Sequence, residues 1–270
     1  AIHPEDRGNQ FGDAVYEVCE VREGRLTDET RHLARLERSL GELGIPAPMS
    51  RAAWGRVLRE TIRRNRVRNG LVYLQVSRGV ARRDFFFPAP DKTPTVTSLA
   101  RRLSSTKDES QAAKGIAIQS TPDVRWGRCD IKTVMLLPAT MAKQRARESG
   151  ANDAWFVDEK GYVTEGASAN AWILDRDGKL VTRALDNAIL PGVTRATLLD
   201  VLKREGIAVV ERPFTIEEAQ GAREAFITSA TSLVMPVVTI DGKQVGNGAP
   251  GLLALKLRAA FHEVAERAPA

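Results

Sequence analysis

The chain has 270 residues, 43% of them hydrophobic and 27% charged, with a formal net charge of +6. A chain of this length buries a substantial core, as one large domain or two of moderate size. It has no low-complexity tract and nothing approaching the ~20 consecutive apolar residues of a membrane helix, which excludes a disordered chain and a helical membrane protein. Two cysteines without close spacing, Cys19 and Cys129, and only three histidines argue against a disulfide framework or a bound metal. Much of the positive charge is arginine in residues 51–68. No nucleic-acid-binding motif accompanies it, so it reads as a solvated helix face with no nucleic-acid partner, a basic nucleic-acid-binding protein being the non-enzyme alternative. The polar N-terminal residues lack a signal-type apolar segment, and the expected setting is soluble and cytoplasmic.

In chain order, residues 11–21 read as a strand, with Val15, Tyr16, Val18 and Val21 alternating loosely. Residues 28–43 carry Leu33, Leu36, Leu40 and Leu43 as a helical stripe, with Thr27 as N-cap. A second helix over 51–66 shows Trp54, Leu58 and Ile62, and 71–77 is a strand. Pro88-Ala89-Pro90 and the polar stretch 101–114 read as connecting material. The expected division is a small N-terminal α/β domain (1–114), a linker (115–120) and a larger C-terminal domain (121–270). In the second part, 115–119 reads as a strand and 133–149 as a helix. Strands at 154–157 and 162–164 flank one turn, and strands at 170–174 and 179–182 flank the Asp177-Gly178 turn. A helix follows at 194–205, Thr215-Ile216-Glu217-Glu218 is a capping box, and strands at 224–228 and 237–240 precede a helix at 252–267.

Lys132 stands in Cys129-Asp130-Ile131-Lys132-Thr133-Val134-Met135-Leu136-Leu137, with apolar residues on both sides. An ammonium is costly to remove from water, so a lysine in an apolar run tends to lose its proton, and a neutral amine is a nucleophile suited to a Schiff base with a carbonyl compound. The competing reading is a lysine at a strand end that snorkels to water. Glu165, in Val163-Thr164-Glu165-Gly166-Ala167-Ser168, is a turn residue or, beside a Schiff-base lysine, the carboxylate that keeps a pyridoxal ring nitrogen protonated. Leu190-Pro191-Gly192-Val193-Thr194-Arg195 leads into a helix whose first N–H groups, on Val193 and Thr194, make an anion site or an ordinary helix start. Thr228-Ser229-Ala230-Thr231-Ser232 offers hydroxyls, and Arg35 a cation, to the same phosphate. Gly246-Asn247-Gly248-Ala249-Pro250-Gly251 matches G-x-G-x-x-G but has no following strand with an acidic residue, and it reads as a turn.

These pieces, in this order, resemble the class IV aminotransferases, the fold-type IV pyridoxal-phosphate enzymes, and among them the D-amino acid aminotransferases. The resemblance runs from about Glu5 to Gly251. It rests on the run from Asp6 to Val18, on Val124-Arg125-Trp126-Gly127-Arg128-Cys129-Asp130-Ile131-Lys132, on Glu165-Gly166-Ala167-Ser168-Ala169-Asn170 and on Gly192-Val193-Thr194-Arg195. It implies a mixed α/β, two-domain homodimer with pyridoxal 5'-phosphate between the domains. Lys132 is then the Schiff-base lysine, Glu165 the partner of the pyridine nitrogen and Arg35 the phosphate-binding arginine. Val193, Thr194, Ser229 and Thr231 complete the phosphate cradle, with Ala230 where the family has a threonine. Tyr16 faces the substrate carboxylate.

For that carboxylate the family also uses an arginine and a histidine two residues apart. Arg83 takes the arginine's place, but Phe85 stands where the histidine is expected, and a phenyl ring donates no hydrogen bond. Arg82 or Arg78 compensates, or the preferred substrate differs; Glu20, where relatives often carry lysine, is a further departure. The implied reaction is ping-pong transfer of an amino group from a D-amino acid, such as D-alanine or D-glutamate, to pyruvate or 2-oxoglutarate. The alternatives on the same fold are an aminodeoxychorismate-lyase-type enzyme and a branched-chain aminotransferase.

Overall fold

From Val15 onward, strand β1 (Ala14–Arg22) alternates between buried and half-buried residues, as a strand does when one face packs on a core and the other stays open. The computed structural model that shows this describes residues 2–89 and 91–268, without the side chains of 105–107, so Pro90 of the expected connection lies outside it. The chain forms two compact units. The first comprises 1–104, 131–136 and 266–270, and the second 105–130 and 137–265.

In the first unit a short helix, α1 (Arg7–Phe11), precedes β1. Then come β2 (Arg25–Leu26), α2 (Glu29–Glu42), α3 (Arg51–Arg64), β3 (Gly70–Ser77) and β4 (Thr95–Arg102). The strands make an antiparallel sheet in the order β2-β1-β3-β4. Leu33, Leu36 and Leu40 of α2 and Trp54, Leu58 and Ile62 of α3 pack with Val15, Cys19, Val72, Leu74 and Val76 of the sheet. This is the apolar periodicity expected of both helices. Two local expectations give way. Phe11 ends α1 rather than opening the strand, because Asp6 caps the helix and Gly12, at φ 68°, turns the chain. The N-cap of α2 is Asp28, not Thr27, and its carboxylate accepts the Glu266 N–H at 3.0 Å.

The second unit runs α4 (Ser105–Ala112), β5 (Ile116–Pro122), α5 (Leu137–Glu148), β6 (Asp153–Val157), β7 (Val163–Gly166), β8 (Asn170–Leu174) and β9 (Leu180–Thr182). It continues with α6 (Val193–Arg204), β10 (Val209–Glu211), α7 (Ile216–Gln220), β11 (Glu224–Ser229), β12 (Leu233–Ile240), β13 (Lys243–Gln244) and α8 (Leu252–Val264). Its mixed sheet follows the order β10-β9-β8-β11-β12-β5-β6-β7, with β13 beside β12. On one face, Leu198, Val201 and Leu202 of α6 and Ala254 and Leu257 of α8 cover Trp172, Phe226 and Val234. Thr215 caps α7 as its capping box predicts, its Oγ accepting from Glu218 N–H. At the start of α8 the Glu224 carboxylate accepts the N–H groups of Leu253 and Ala254 at 3.0 Å each, so a side chain of the sheet fills the position a dinucleotide would need.

Residues 101–114 are not loose connecting material. Arg101 and Arg102 end β4, and α4 is anchored by buried Ala112 and by Glu109, which pairs with the buried Arg258 at 2.8 Å. The segment 115–120 lies largely in β5, where Ile116 and Ile118 point into the core. The helix expected over 133–149 starts only at Leu137. Residues 132–134 instead lie beside the first residues of β1, where Tyr16 N–H donates to Lys132 O (3.0 Å) and Val134 N–H to Ala14 O (3.1 Å).

Leu36 is 1% exposed at the centre of the first core. Leu36→Ala is expected to lower the unfolding free energy by about 2–5 kcal/mol, measured as a lower urea midpoint by circular dichroism.

Candidate active site

Strand geometry sends Tyr16 and Glu17 to opposite faces of β1. Glu17, buried on the helix side, accepts Arg35 Nε and Nη2, both at 2.8 Å, and meets His32 Nδ1 at 2.7 Å. Burial pushes its carboxyl up, but the charge and hydrogen bonds of Arg35, with those of His32, outweigh it and hold the group at about 2. The Glu17 carboxylate thus fixes two nitrogens of Arg35, the candidate phosphate ligand.

Tyr16 lies on the open side. The Lys132 Nζ stands 4.2 Å from the centre of its ring, a cation–π distance. Tyr73 stacks beneath Tyr16 with ring centres 5.6 Å apart, and its hydroxyl donates to Gln75 Oε1 at 2.5 Å. Ser39 Oγ of α2 accepts the Lys132 N–H at 3.4 Å. The apolar neighbours that single out Lys132 in the sequence do not enclose it, since Met135 and Leu136 are 40% and 38% exposed. The lysine is half-buried, and the observed contact to its amine is the Tyr16 ring.

The loop after β3 carries Arg83 and Phe85. The Arg83 guanidinium lies 5.2 Å from the Phe11 ring and 5.8 Å from that of Phe85, whose side chain is 81% exposed. Arg78 does not stand in for the missing histidine: Nε binds Asp13 and the two Nη atoms bind the carbonyls of Gly44 and Leu43.

In the second unit the candidate carboxylate is fully engaged. Glu165, 5% exposed, accepts Arg125 Nη1 at 2.6 Å on one oxygen. Its other oxygen accepts Asn170 Nδ2 and the Leu190 N–H at 3.1 Å each. Arg125 is itself held by Asp123 (2.8 and 2.9 Å), Thr164 Oγ1 (3.2 Å) and Ala188 O (3.0 Å). Burial works against both charges of the Arg125–Asp123 pair. Their mutual hydrogen bonds and attraction prevail, holding Asp123 below and Arg125 above the ordinary range.

Asn170 joins the remaining pieces. It opens β8, faces Thr228 of β11 and donates to Leu190 O at 2.9 Å. A Cβ on Gly192 would stand 2.1 Å from its Oδ1, so only glycine fits there. Gly192 is the N-cap of α6 with no side-chain cap bond, and the buried Val193 and Thr194 supply N–H groups that a helix leaves without internal acceptors. The next residue, Arg195, is 3% exposed, with Nε among the buried polar atoms lacking a partner. Ser229 and Thr231 share a 3.3 Å hydroxyl contact just beyond Thr228. The Arg195 guanidinium itself pairs with Glu211 and the Arg183 carbonyl and lies over the Trp172 ring, whereas the uncapped N–H groups and the hydroxyls are donors that suit a phosphate. Cys129 is no competing nucleophile, because burial pushes its thiol up to about 11.

The first unit thus brings together Tyr16 and Lys132 on one face of β1, with Arg35 behind it. The second collects Glu165, Val193, Thr194, Ser229 and Thr231 around Asn170. Sequence reasoning assigned no role to Arg125, Asp123 or Asn170, although Arg125 and Asn170 stand in quoted motifs. An arginine two residues after an aspartate was the available signal.

The sequence profile of the amino-transferase class IV family matches residues 14–240, and the chain belongs to that family. It is 39% identical over 261 residues to a D-alanine aminotransferase of Bacillus licheniformis, covering 97% of this chain and 90% of the relative. Among solved structures, a branched-chain amino acid aminotransferase of Escherichia coli superposes with TM-score 0.89 at 23% identity, covering 98% of this chain and 89% of that one. A second branched-chain amino acid aminotransferase, from T.th. and solved with pyridoxamine 5'-phosphate, gives 0.88 at 25%, covering 97% and 88%. The fold is that of the fold-type IV aminotransferases.

Glu17 carries a pH prediction. Its folded pKa of about 2 lies below the ordinary 4.5, so its stabilising contribution is present above about pH 4.5 and is lost as pH falls towards 2. Glu17→Gln is expected to destabilise the protein by about 3–5 kcal/mol at neutral pH, because Arg35 stays buried without its partner. The variant's stability should also vary less with pH over that interval, read from urea midpoints at a series of pH values.

Proposed function

We propose that the protein transfers the amino group of a D-amino acid to a 2-oxo acid with pyridoxal 5'-phosphate as cofactor. The observation that carries this reading is the buried Glu165 carboxylate, paired with Arg125 and oriented by Asn170 and the Leu190 N–H. A carboxylate so held favours a protonated ring nitrogen opposite it. Pyridoxal phosphate, when bound, supplies the electron sink that makes the substrate Cα–H acidic. Glu165 then holds the proton at the ring nitrogen. The N–H groups of Val193 and Thr194, with Arg35 and the Ser229 and Thr231 hydroxyls, hold the phosphate. The Lys132 amine would hold the cofactor and would take the proton from the substrate Cα. Tyr16 and Arg83 orient the substrate carboxylate, and Phe85 adds an apolar wall in place of a hydrogen-bond donor. The 39% identity to a D-alanine aminotransferase supports a D-amino acid donor.

A homodimer accords with Phe85, Phe86 and Phe87, consecutive and 81%, 82% and 66% exposed, which a second copy would cover. Two free cysteines suit a reducing, cytoplasmic setting. None of the described helices is long and apolar enough to cross a membrane.

Protein purified with pyridoxal phosphate is expected to absorb in the visible and to change that band on addition of D-alanine. Lys132→Ala should reduce turnover by at least about 10³-fold, the order of loss when a covalent catalytic residue is removed. A band that answers L-leucine, or turnover of a chorismate-derived amine with release of pyruvate, would favour the branched-chain or lyase alternatives. Sedimentation should show a species of twice the 29.6 kDa chain mass.

A further inference from the structure

The net positive charge is not spread over the molecule. The first unit holds 21 Lys and Arg against 14 Asp and Glu, and the second holds 19 against 20. Within the first unit, six arginines gather at one end of the sheet. Arg22 and Arg25 face each other directly across β1 and β2, an arrangement that costs stability unless counter-charge is supplied. Arg101 ends β4 in line with Leu71 and Glu20. Arg68 O accepts the Gly24 N–H at 2.8 Å beside the β1–β2 turn, and Arg102 Nε donates to Arg66 O at 3.3 Å.

Arginines elsewhere in the chain are largely paired; Arg51, Arg59, Arg63 and Arg64, on α3, all bind carboxylates. Among the described residues, none of Arg22, Arg25, Arg66, Arg68, Arg101 and Arg102 makes an ion pair. The nearby Glu23 pairs with Arg267 at 2.5 Å, and the hydrogen bond and charge of Arg267, with smaller contributions from Arg22 and Arg25, hold its carboxyl below the ordinary range.

Register places this charge relative to Lys132. Residues opposed across strands share a face, so Tyr16, Val18, Glu20, Arg22, Arg25 and Arg101 lie on the open face of the sheet. Glu20 is the carboxylate among them, and it has an interaction partner of its own. At a rise of about 3.3 Å per residue, Arg22 is about 20 Å from Tyr16, too far to touch a substrate there. That separation exceeds the screening length of about 8–10 Å at physiological strength and lies inside the about 30 Å of low salt, so the field reaches Tyr16 chiefly at low salt.

We propose that this arginine end is an electrostatic guide that concentrates anionic substrates along the open face towards Lys132, and that it favours 2-oxo acids and D-amino acids carrying two carboxylates. The proposal rests on the transamination reading. A positive potential of one kT raises local concentration about threefold per negative charge, so a dianion gains about threefold over a monoanion.

The test compares kcat/KM for 2-oxoglutarate and for pyruvate, with one D-amino acid donor, at about 20 and about 300 mM salt. Wild type is compared with Arg22→Gln/Arg25→Gln/Arg101→Gln and, separately, with Arg66→Gln/Arg68→Gln/Arg102→Gln. Wild type should lose more kcat/KM with salt for 2-oxoglutarate than for pyruvate. Arg22→Gln/Arg25→Gln/Arg101→Gln, on the open face, should lower the low-salt value for 2-oxoglutarate by about threefold or more, flatten its salt dependence and leave kcat unchanged. The variant at Arg66, Arg68 and Arg102, where Arg102 is in register with the inward-facing Val21, should have a smaller effect. Equal salt dependence in wild type and both variants, with turnover intact, would overturn the guide alone. So would salt-sensitive RNA binding lost in the variants while 2-oxo acid kinetics stay the same, since the arginines would then serve a nucleic acid. Absence of turnover from wild type with every donor and acceptor would overturn the functional reading and the guide together.

Discussion

A carboxylate buried to 5% exposure imposes demands on everything around it, and Glu165 is that carboxylate. Unpaired, it would take up a proton or destabilise the fold. Arg125 answers its charge, Asp123 answers the excess charge of Arg125, and Thr164 and Ala188 O take up the remaining guanidinium donors. The second oxygen of Glu165 fixes Asn170 and the Leu190 N–H. Residues 188–190 are thereby tied to β7 and β8, and Gly192 is pressed against Asn170. The start of α6, with the N–H groups of Val193 and Thr194 in its first turn, is fixed in place as a result. One ion network positions both Glu165 and that helix start.

The first unit repeats the logic on a smaller scale. Glu17 faces inward from β1 and binds Arg35 and His32, while the adjacent Tyr16 faces outward and carries the Lys132 amine on its ring. The period of two along a strand separates a structural ion pair from a reactive amine within consecutive residues. Lys132 stays in place because 132–134 hydrogen-bond to the first residues of β1, an edge that β2, only two residues long, does not reach.

Departures from the family pattern concentrate at the substrate end. Phe85 removes a hydrogen-bond donor, Arg78 is spent on Asp13 and two backbone carbonyls, and Arg83 lies against aromatic rings.

Strong periodicity made α2, α3, α6 and the β8–β9 hairpin legible in the sequence, because apolar stripes and turn residues are local signals. Lys132, Glu165 and the Val193–Thr194 helix start stood out in the sequence as candidates, since each pairs an unusual residue with a motif. The segments misread were those whose structure depends on distant partners. Residues 101–114 are polar yet ordered by β3 and Arg258, and 132–134 look like a helix start until β1 hydrogen-bonds to them. Arg125, Asp123 and Asn170 went unassigned for the same reason, since a charged or amide side chain shows its role only once the group it satisfies is in place. The sequence by itself pointed to the family, through its resemblance to the class IV aminotransferases, and singled out Lys132 and Glu165 as candidates. Tertiary structure alone decided that Lys132 rests on Tyr16 rather than in an apolar sleeve, that Arg125 pairs with Glu165, and that six arginines without ion pairs among the described residues share one sheet end. Burial and ion pairing are set by residues far apart in the chain, and no local pattern encodes them.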